Sequence, residues 1–360
     1  MWFLKHIVNI ITQSGRGKRV FVGVSGGVDS SVSALMLKLY GYDVTGVFIR
    51  TWQPEWIKCS WRDERRDAMR VCAHLEIPFV ELDLEQEYKQ GVADYMIAEY
   101  KKGRTPNPDV MCNREVKFGG FLKWALEQNA DYIATGHYAQ NISNKLVKGI
   151  DESKDQSYFL WTLTQDQLKH VLFPVGHIQK KAVRKLASWY TLPTALKKDS
   201  QGICFIGEID MKEFLKHYID EVPGDVTDES GTIIGHHNGV LMYTLGERHG
   251  FTITKKGTED APYYVKRKDI EKNILIVSSL PEIKIRNQEI KLVDCVWRGL
   301  EIDKTYTAQI RYHGELKSCR IHHTKNNYTI IFDESDATIA QGQSVVLYDD
   351  SVCIGGGVVA

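Results

Sequence analysis

Val20-Phe21-Val22-Gly23-Val24-Ser25-Gly26-Gly27-Val28-Asp29-Ser30-Ser31-Val32-Ser33-Ala34-Leu35-Met36-Leu37 decides the fold. The apolar run 20–24 reads as a buried strand, the serine–glycine segment as a turn, and 31–37 as a helix. Such a turn aims backbone N–H groups and a helix N-terminus at an anion. Gly26 and Gly27 let the backbone approach that anion closely, and the hydroxyls of Ser25 and Ser30 can donate to phosphate oxygens. No Gly-Lys-Ser/Thr follows the glycines, so this is not a Walker A loop. The G-x-G-x-x-G spacing of a dinucleotide fingerprint is also absent. Asp29 would repel a phosphate unless a cation stands between them, so it predicts Mg²⁺.

The segment resembles the loop of the PP-loop ATP pyrophosphatases, which adenylate a substrate and release pyrophosphate. Beyond it, strands are expected at 44–49, 78–82 and 132–135, and helices at 62–75, 87–100 and 116–128. Met69, Cys72 and Leu75 share the apolar face of the first of these helices. Strands alternating with helices predict an α/β fold, a doubly wound parallel sheet. Ligands of such sheets bind beyond the carboxyl ends of the strands. Both the opening loop and Gly136-His137 belong there.

The stretch 157–204 reads as largely helical. Turn signals at Pro223-Gly224-Asp225, Glu229-Ser230-Gly231 and His237-Asn238-Gly239 then mark a small mixed domain. Six alternating strands at 290–297, 306–312, 317–323, 328–332, 345–348 and 352–359 predict a C-terminal β-barrel. The expected layout is an N-terminal extension over 1–18, a catalytic domain over 19–205, a central domain over 206–281 and the barrel over 282–360.

The 360 residues carry no formal net charge, so no global basic field announces nucleic acid, and any RNA contact must be local. Lys180, Lys181, Arg184 and Lys185, followed by Lys197-Lys198, form one such cluster, suited to salt-sensitive phosphate contacts. No apolar run spans a membrane. The first nineteen residues are basic and free of acids, but they lack a signal cleavage pattern. They read as a short extension of a cytoplasmic protein. Seven irregularly spaced cysteines argue against a disulfide framework, and no C-x-x-C pair suggests zinc. His236-His237 and His322-His323 are adjacent pairs, which strand pleating points apart.

Arg104-Thr105-Pro106-Asn107-Pro108-Asp109-Val110-Met111-Cys112-Asn113-Arg114 is the second unusual stretch. Its prolines stiffen a loop. Cys112, at the expected start of a helix and near Arg114, is placed to favour thiolate. Cys204 stands in a similar setting, Lys197-Lys198-Asp199-Ser200-Gln201-Gly202-Ile203-Cys204-Phe205. Two such cysteines beside an adenylating loop suggest sulfur transfer: ATP activates a carbonyl oxygen, and sulfur replaces it. A ligase acting on a small carboxylate would leave both cysteines without a task. An RNA-binding protein with ATP only as ligand would release no pyrophosphate. Two cysteines are few for an iron–sulfur cluster.

Together with Thr105-Pro106-Asn107-Pro108-Asp109, Gly136-His137-Tyr138, Lys154-Asp155-Gln156-Ser157-Tyr158 and Gly355-Gly356-Gly357, these motifs resemble the bacterial tRNA-specific 2-thiouridylase family over nearly the whole chain. The resemblance implies ATP bound by Gly23, Val24, Ser25, Gly26, Gly27, Val28, Asp29 and Ser30, with Ile49 and Gly136 at the nucleotide. It makes Cys112 the nucleophile and Cys204 the persulfide carrier, joined afterwards as a disulfide. Asp109 becomes a proton acceptor or a loop-stiffening group. Asn107, Pro108 and Asp109 meet the target base. His137, Lys154, Asp155, Gln156, Arg311, Tyr312 and Gln343 meet tRNA. The implied partners are the anticodon region of tRNA, a persulfide donor such as a cysteine desulfurase or relay protein, and a reductant. Glu247 departs from the glutamine common at its position in the family.

Overall fold

The computed structural model describes residues 15–57, 61–199, 210–254, 261–279, 284–324, 327–336 and 339–360. The expected N-terminal extension, apart from 15–18, and Cys204 lie outside the described residues. The chain begins with β1 (Arg19–Gly23), α1 (Val28–Leu39), β2 (Asp43–Arg50), α2 (Trp61–His74), β3 (Phe79–Asp83), a helical run α3 (85–101), a second run α4 (108–127) and β4 (Tyr132–Ala134). A hairpin, β5 (Ala139–Ile142) with β6 (Lys145–Lys148), and a short β7 (Val171–Leu172) follow. The first sheet has the order β3-β2-β1-β4-β7, and all its neighbours are parallel. The chain winds one way from β1 and returns on the other side at β4. The crevice beyond the carboxyl ends of β1 and β4 is therefore the switch point where such sheets bind ligands.

α1 is buried along most of its length, from Val28 through Leu37, and its serines are buried with it. Their hydroxyls bond back to the helix's own carbonyls, Ser31 to Gly27 at 2.6 Å and Ser33 to Asp29 at 2.9 Å. That satisfies polar groups which would otherwise cost free energy in the core. In α2 the buried face is Ala68, Val71 and Cys72, continued by Leu75. Met69 was expected on this face, but it stands 41% exposed. The i, i+3, i+4 stripe starts at Ala68, so Met69 lies about 100° around the helix from it.

Three further features depart from expectation. α4 starts at Pro108, eight residues before the expected 116. Asn107 caps it by accepting from Val110 N–H at 3.2 Å, and Pro108 takes the first helical position, where no N–H is needed. The Pro-Asn-Pro stretch is thus a helix start as well as a stiff loop. Residues 157–199 are less helical than expected: α5 (Lys180–Trp189) is their longest helix, among short turns. The β5–β6 hairpin turns at Ser143-Asn144, both in the left-handed region (φ 52° and 60°), a two-residue turn that suits paired strands.

β8 (Gly224–Thr227), β9 (Ile233–His237), β10 (Thr252–Ile253), β11 (Tyr264–Asp269) and β12 (Ile274–Ser278) form a small mixed sheet. β13 (Lys284–Trp297), β14 (Thr305–Gln309), β15 (Lys317–Thr324), β16 (Asn327–Asp336), β17 (Ser344–Asp349) and β18 (Val352–Val359) close into a barrel, because β13 pairs with both β16 and β18. These are the six expected strands. Val352 of β18 also pairs with Val147 of β6, so the hairpin of the first domain extends the barrel sheet. No helix among the described residues is long and apolar enough to cross a membrane.

Arg298 fastens the barrel to the first domain from inside. Its guanidinium donates to the carbonyls of Trp161 (2.8 Å) and Leu163, and to Cys353 O at 3.0 Å. Arg298→Met should therefore leave three buried carbonyls without that donor. A loss of about 2–4 kcal/mol is expected by urea unfolding, since hydrogen bonds to a charged group are each worth about 1.5–3 kcal/mol. An unchanged midpoint would show the staple to be dispensable.

Candidate functional site

The serine–glycine loop leaves β1 at Gly23 and enters α1 at Gly27. Gly26 sits at φ 71°, and a Cβ there would stand 2.5 Å from the Glu64 carbonyl oxygen, so the position needs glycine on both counts. Ser30 is buried; its hydroxyl donates to Gly27 O at 3.2 Å and lies 3.3 Å from both the N–H and the hydroxyl of Ser25. Ser25 is the exposed hydroxyl of the pair. Val24 and Val28 are buried and anchor the loop from below. Gly136, just beyond β4, abuts it: a Cβ there would stand 2.7 Å from Ser30 N. Ile49, the penultimate residue of β2, lies next to Gly23 on the same edge, buried to 7% exposure.

Asp29 is held from two directions. Lys180 Nζ donates to Oδ1 at 2.7 Å and Oδ2 at 2.8 Å, and the Tyr138 hydroxyl donates to Oδ1 at 2.7 Å. Burial, with the Asp29 charge and hydrogen bond added, holds the Tyr138 phenol protonated well above its ordinary range. Both Asp29 oxygens are thus occupied, and the donor set does not fit a resident Mg²⁺. Among the described residues no group of three or more His, Cys, Asp or Glu is placed to hold a metal. Of the histidine pairs, His236 faces solvent; His237 is buried between Gly239 N–H and the Asn273 carbonyl.

Cys112 is fully buried, in the second turn of α4, where the helix widens to π geometry over Cys112–Gly120. Such widenings recur at functional sites. The expected activation by a helix start is weaker than anticipated, since the dipole effect fades within one turn. Arg114, expected to help, is paired with Glu115 at 2.6 Å. Asp109 stands three residues before Cys112, on the same helix face. Asn113 Nδ2 donates to the Phe159 carbonyl at 3.1 Å, and its Oδ1 is buried with no partner among the described residues.

Two contact routes join this helix to the loop. Lys117 Nζ lies 3.4 Å from His137 Nε2, and His137 follows Gly136. The second runs from Asn113 through Phe159 to Gln156, which bonds Tyr138 N–H through its side chain at 3.0 Å and Tyr138 O through its own N–H at 2.8 Å. Tyr138 then reaches Asp29.

The expected tRNA contacts fall into two groups. His137, Asp155 and Gln156 are turned inward. His137 is 7% exposed and bonds Thr135 Oγ1 at 2.7 Å through Nδ1; burial, with Lys117 nearby, lowers its pKa well below the usual range and keeps it neutral. Asp155 accepts from Gly149 N–H and from both donors of Ser157; burial raises its pKa against those bonds. Arg311 is exposed, and Lys154, Tyr312 and Gln343 are half-buried. Tyr312 packs on Phe159 with ring centres 4.4 Å apart, and Arg311 reaches the Leu245 carbonyl at 3.5 Å. The loop before β17 meets the Cys112 segment where Thr105 N–H donates to Gln341 O at 2.8 Å. Gln343 Oε1 is buried with no partner among the described residues.

The basic cluster of α5 divides. Lys181 and Lys185 face solvent, as phosphate contacts require. Lys180 and Arg184 instead turn inward to Asp199, which Lys154 also reaches at 3.2 Å; Lys197 pairs with Asp67 at 2.9 Å. Burial alone would raise Asp199, but hydrogen bonds and charge from Lys180 and Lys154 outweigh it and bring the pKa to about 2. Sequence reasoning missed Tyr138 and misassigned Lys180. Tyr138 carried a signal, its place in Gly136-His137-Tyr138, but nothing local pairs Lys180 with a residue 151 positions away.

The chain matches three family models in order: a tRNA methyl transferase HUP domain over 18–208, a tRNA methyl transferase PRC-barrel domain over 212–279 and an aminomethyltransferase β-barrel domain over 287–359. It is 44% identical over 355 residues to the tRNA-specific 2-thiouridylase MnmA of Francisella tularensis subsp. holarctica (strain LVS), covering 95% of this chain and 99% of that one. The subsp. novicida protein of the same name is 43% identical over the same span. Among solved structures, the U34-tRNA thiolase NcsA of Methanococcus maripaludis aligns over 53% of this chain and 64% of its own, with 17% identity and a TM-score of 0.37.

Proposed function

The chain belongs to the tRNA-specific 2-thiouridylase MnmA family, and from that membership we propose that it thiolates the wobble uridine (position 34) of tRNA at the expense of ATP. It is a tRNA sulfurtransferase of the PP-loop type. The observation that carries the mechanism is the pair of contact routes joining the Cys112 helix to the Ser25–Ser30 loop. A methyl transfer, as the domain descriptions would have it, gives that pairing nothing to do.

Uracil C2 is a poor electrophile. Attack of its carbonyl oxygen on the α-phosphate of ATP forms an O-adenylate and expels pyrophosphate, whose charge the loop amides and α1 N-terminus stabilise. The terminal sulfur of a Cys204 persulfide adds to C2. Cys112 thiolate then attacks the inner sulfur of Cys204. The persulfide S–S bond breaks, its electron pair forms C=S, and AMP departs. A Cys112–Cys204 disulfide is left, which a cellular thiol reduces before the next turnover. Asp109 is the proton acceptor for Cys112. Mg²⁺ enters as the counter-ion of the ATP substrate.

On the RNA side, the uridine is turned out of the anticodon stack towards Asn107, Pro108 and Asp109. Arg311, Tyr312, Gln343 and Lys154 flank its path. The orphaned acceptor Oε1 of Gln343 suits a base or ribose donor. His137, Asp155 and Gln156 serve this surface by holding its loops from within. A persulfide donor and a reductant act on the same enzyme in the cytoplasm.

The test is nucleoside mass spectrometry of tRNA incubated with the protein, ATP and a persulfide donor. Wobble 2-thiouridine with one AMP and one pyrophosphate per thiolation is expected. Thiolation without ATP, or none with it, would reject the assignment.

A further inference from the structure

Asn113 has a firm partner at one end of its amide and none at the other. It follows Cys112 in α4 and is 2% exposed. Nδ2 donates to the Phe159 carbonyl at 3.1 Å. That bond fixes which way the amide points: turned over, Oδ1 would face the Phe159 oxygen, acceptor against acceptor. Phe159 is itself held, by its N–H on the Gln156 carbonyl at 3.0 Å and by its ring against Tyr158 and Tyr312, with centres 5.4 and 4.4 Å apart. Oδ1 is therefore a fixed acceptor, and among the described residues it meets no donor. A buried acceptor left in this way is costly, and folded proteins keep few of them.

The place of this acceptor selects its donor. Asp109, four residues earlier on α4, stands at the target base in the reading above. Sulfur transfer brings uracil C2 within a persulfide's reach of Cys112. Three ring or carbonyl atoms are bonded to C2. N1 carries the ribose, O2 is turned to ATP, and N3 carries a proton. That N3–H is the only hydrogen-bond donor on a uracil ring. We propose that Asn113 reads the target base: Oδ1 accepts the N3–H of the flipped uracil, and so admits uridine and refuses cytidine, whose N3 is a lone pair. This rests on the tRNA-thiolating reading above and names a specificity-determining residue of the same site. The two ends of one amide then have separate tasks, Nδ2 to anchor and Oδ1 to read.

The experiment is equilibrium binding of synthetic anticodon stem–loops to the full chain with α,β-methylene-ATP, whose α–β bond resists cleavage. The stem–loops carry uridine, 3-methyluridine or cytidine at position 34. The wild-type chain should favour uridine over each of the others by roughly 10- to 100-fold, the range for leaving a buried acceptor unpaired. In Asn113→Ala the preference for uridine over 3-methyluridine should fall below threefold, because the acceptor and the bulk facing the added methyl are both gone. A purely structural role for the amide would weaken both stem–loops together and leave their ratio at its wild-type value, which would overturn the proposal. A second overturning result needs no variant: a wild-type chain that binds 3-methyluridine or cytidine within threefold of uridine. If the wild-type chain binds none of the three, the tRNA reading itself falls.

Discussion

Cys112→Ser is expected to reduce 2-thiouridine formation at least 1,000-fold, about 4 kcal/mol of barrier. A serine hydroxyl cannot form a disulfide with Cys204 and is scarcely ionised near neutral pH. The substitution is close to isosteric at a fully buried position, so the fold should survive. The new hydroxyl can bond back to the carbonyl of Pro108, one turn earlier, which limits the cost of burying it to about 1 kcal/mol. ATP binding should be unchanged, and tRNA-dependent pyrophosphate release should persist for a single turnover, because adenylation precedes the step that needs Cys112. Cys204→Ser should abolish thiolation equally. Retention of more than a tenth of the wild-type rate by either variant, measured by nucleoside mass spectrometry, would defeat the two-cysteine scheme.

Gly136→Ala should be a damaging single-methyl change at the proposed nucleotide site. The new Cβ would stand 2.7 Å from Ser30 N and 2.9 Å from the Asp29 carbonyl carbon. Both are backbone atoms of α1, so no side chain can swing away. α1 is packed along most of its length, and β4 pairs on both sides, with β1 and β7, so neither can retreat freely. Relief requires a shift of roughly 0.7 Å to reach ordinary contact, and overpacking of this kind costs about 1–3 kcal/mol. The same displacement moves the loop amides proposed above to cradle phosphate. KM for ATP should rise at least 30-fold, while tRNA affinity in a filter-binding assay stays within twofold. An unaltered KM would mean that Gly136 does not set the position of the loop.

The parallel sheet and the barrel were legible because their signals are local. An apolar run with a glycine turn, or a strict alternation of six strands, states its own geometry. The glycine turn between β1 and α1 was legible for the same reason. What escaped is long-range. Lys180 read as one of several lysines on a helix, since its partner Asp29 is brought to it only by the return of the chain across the sheet. Met69 was misplaced because a stripe at i, i+3 and i+4 can be started one residue off. Pro108 was read as a loop residue because proline is as much at home in a loop as at the first helical position. The β5–β6 hairpin was missed because Ser143-Asn144 lacks the glycine that usually marks its turn. His137 shows a further limit: a motif names a position, but only packing shows that its imidazole is enclosed and neutral.

The pairing of β6 with β18 has a consequence for how the protein is made. Val147 and Val352 are 205 positions apart. At about 5–20 residues per second on the ribosome, the outer edge of β6 waits roughly 10–40 s for its partner to be synthesised. An open strand edge is an invitation to wrong neighbours during that interval. Lys145 and Lys148, at the two ends of β6, are the kind of charge that turns such neighbours away, and Lys148 stands over the ring of Tyr348, on the neighbouring β17, at 4.3 Å. β18 is therefore the strand that relieves the first domain of its exposed edge.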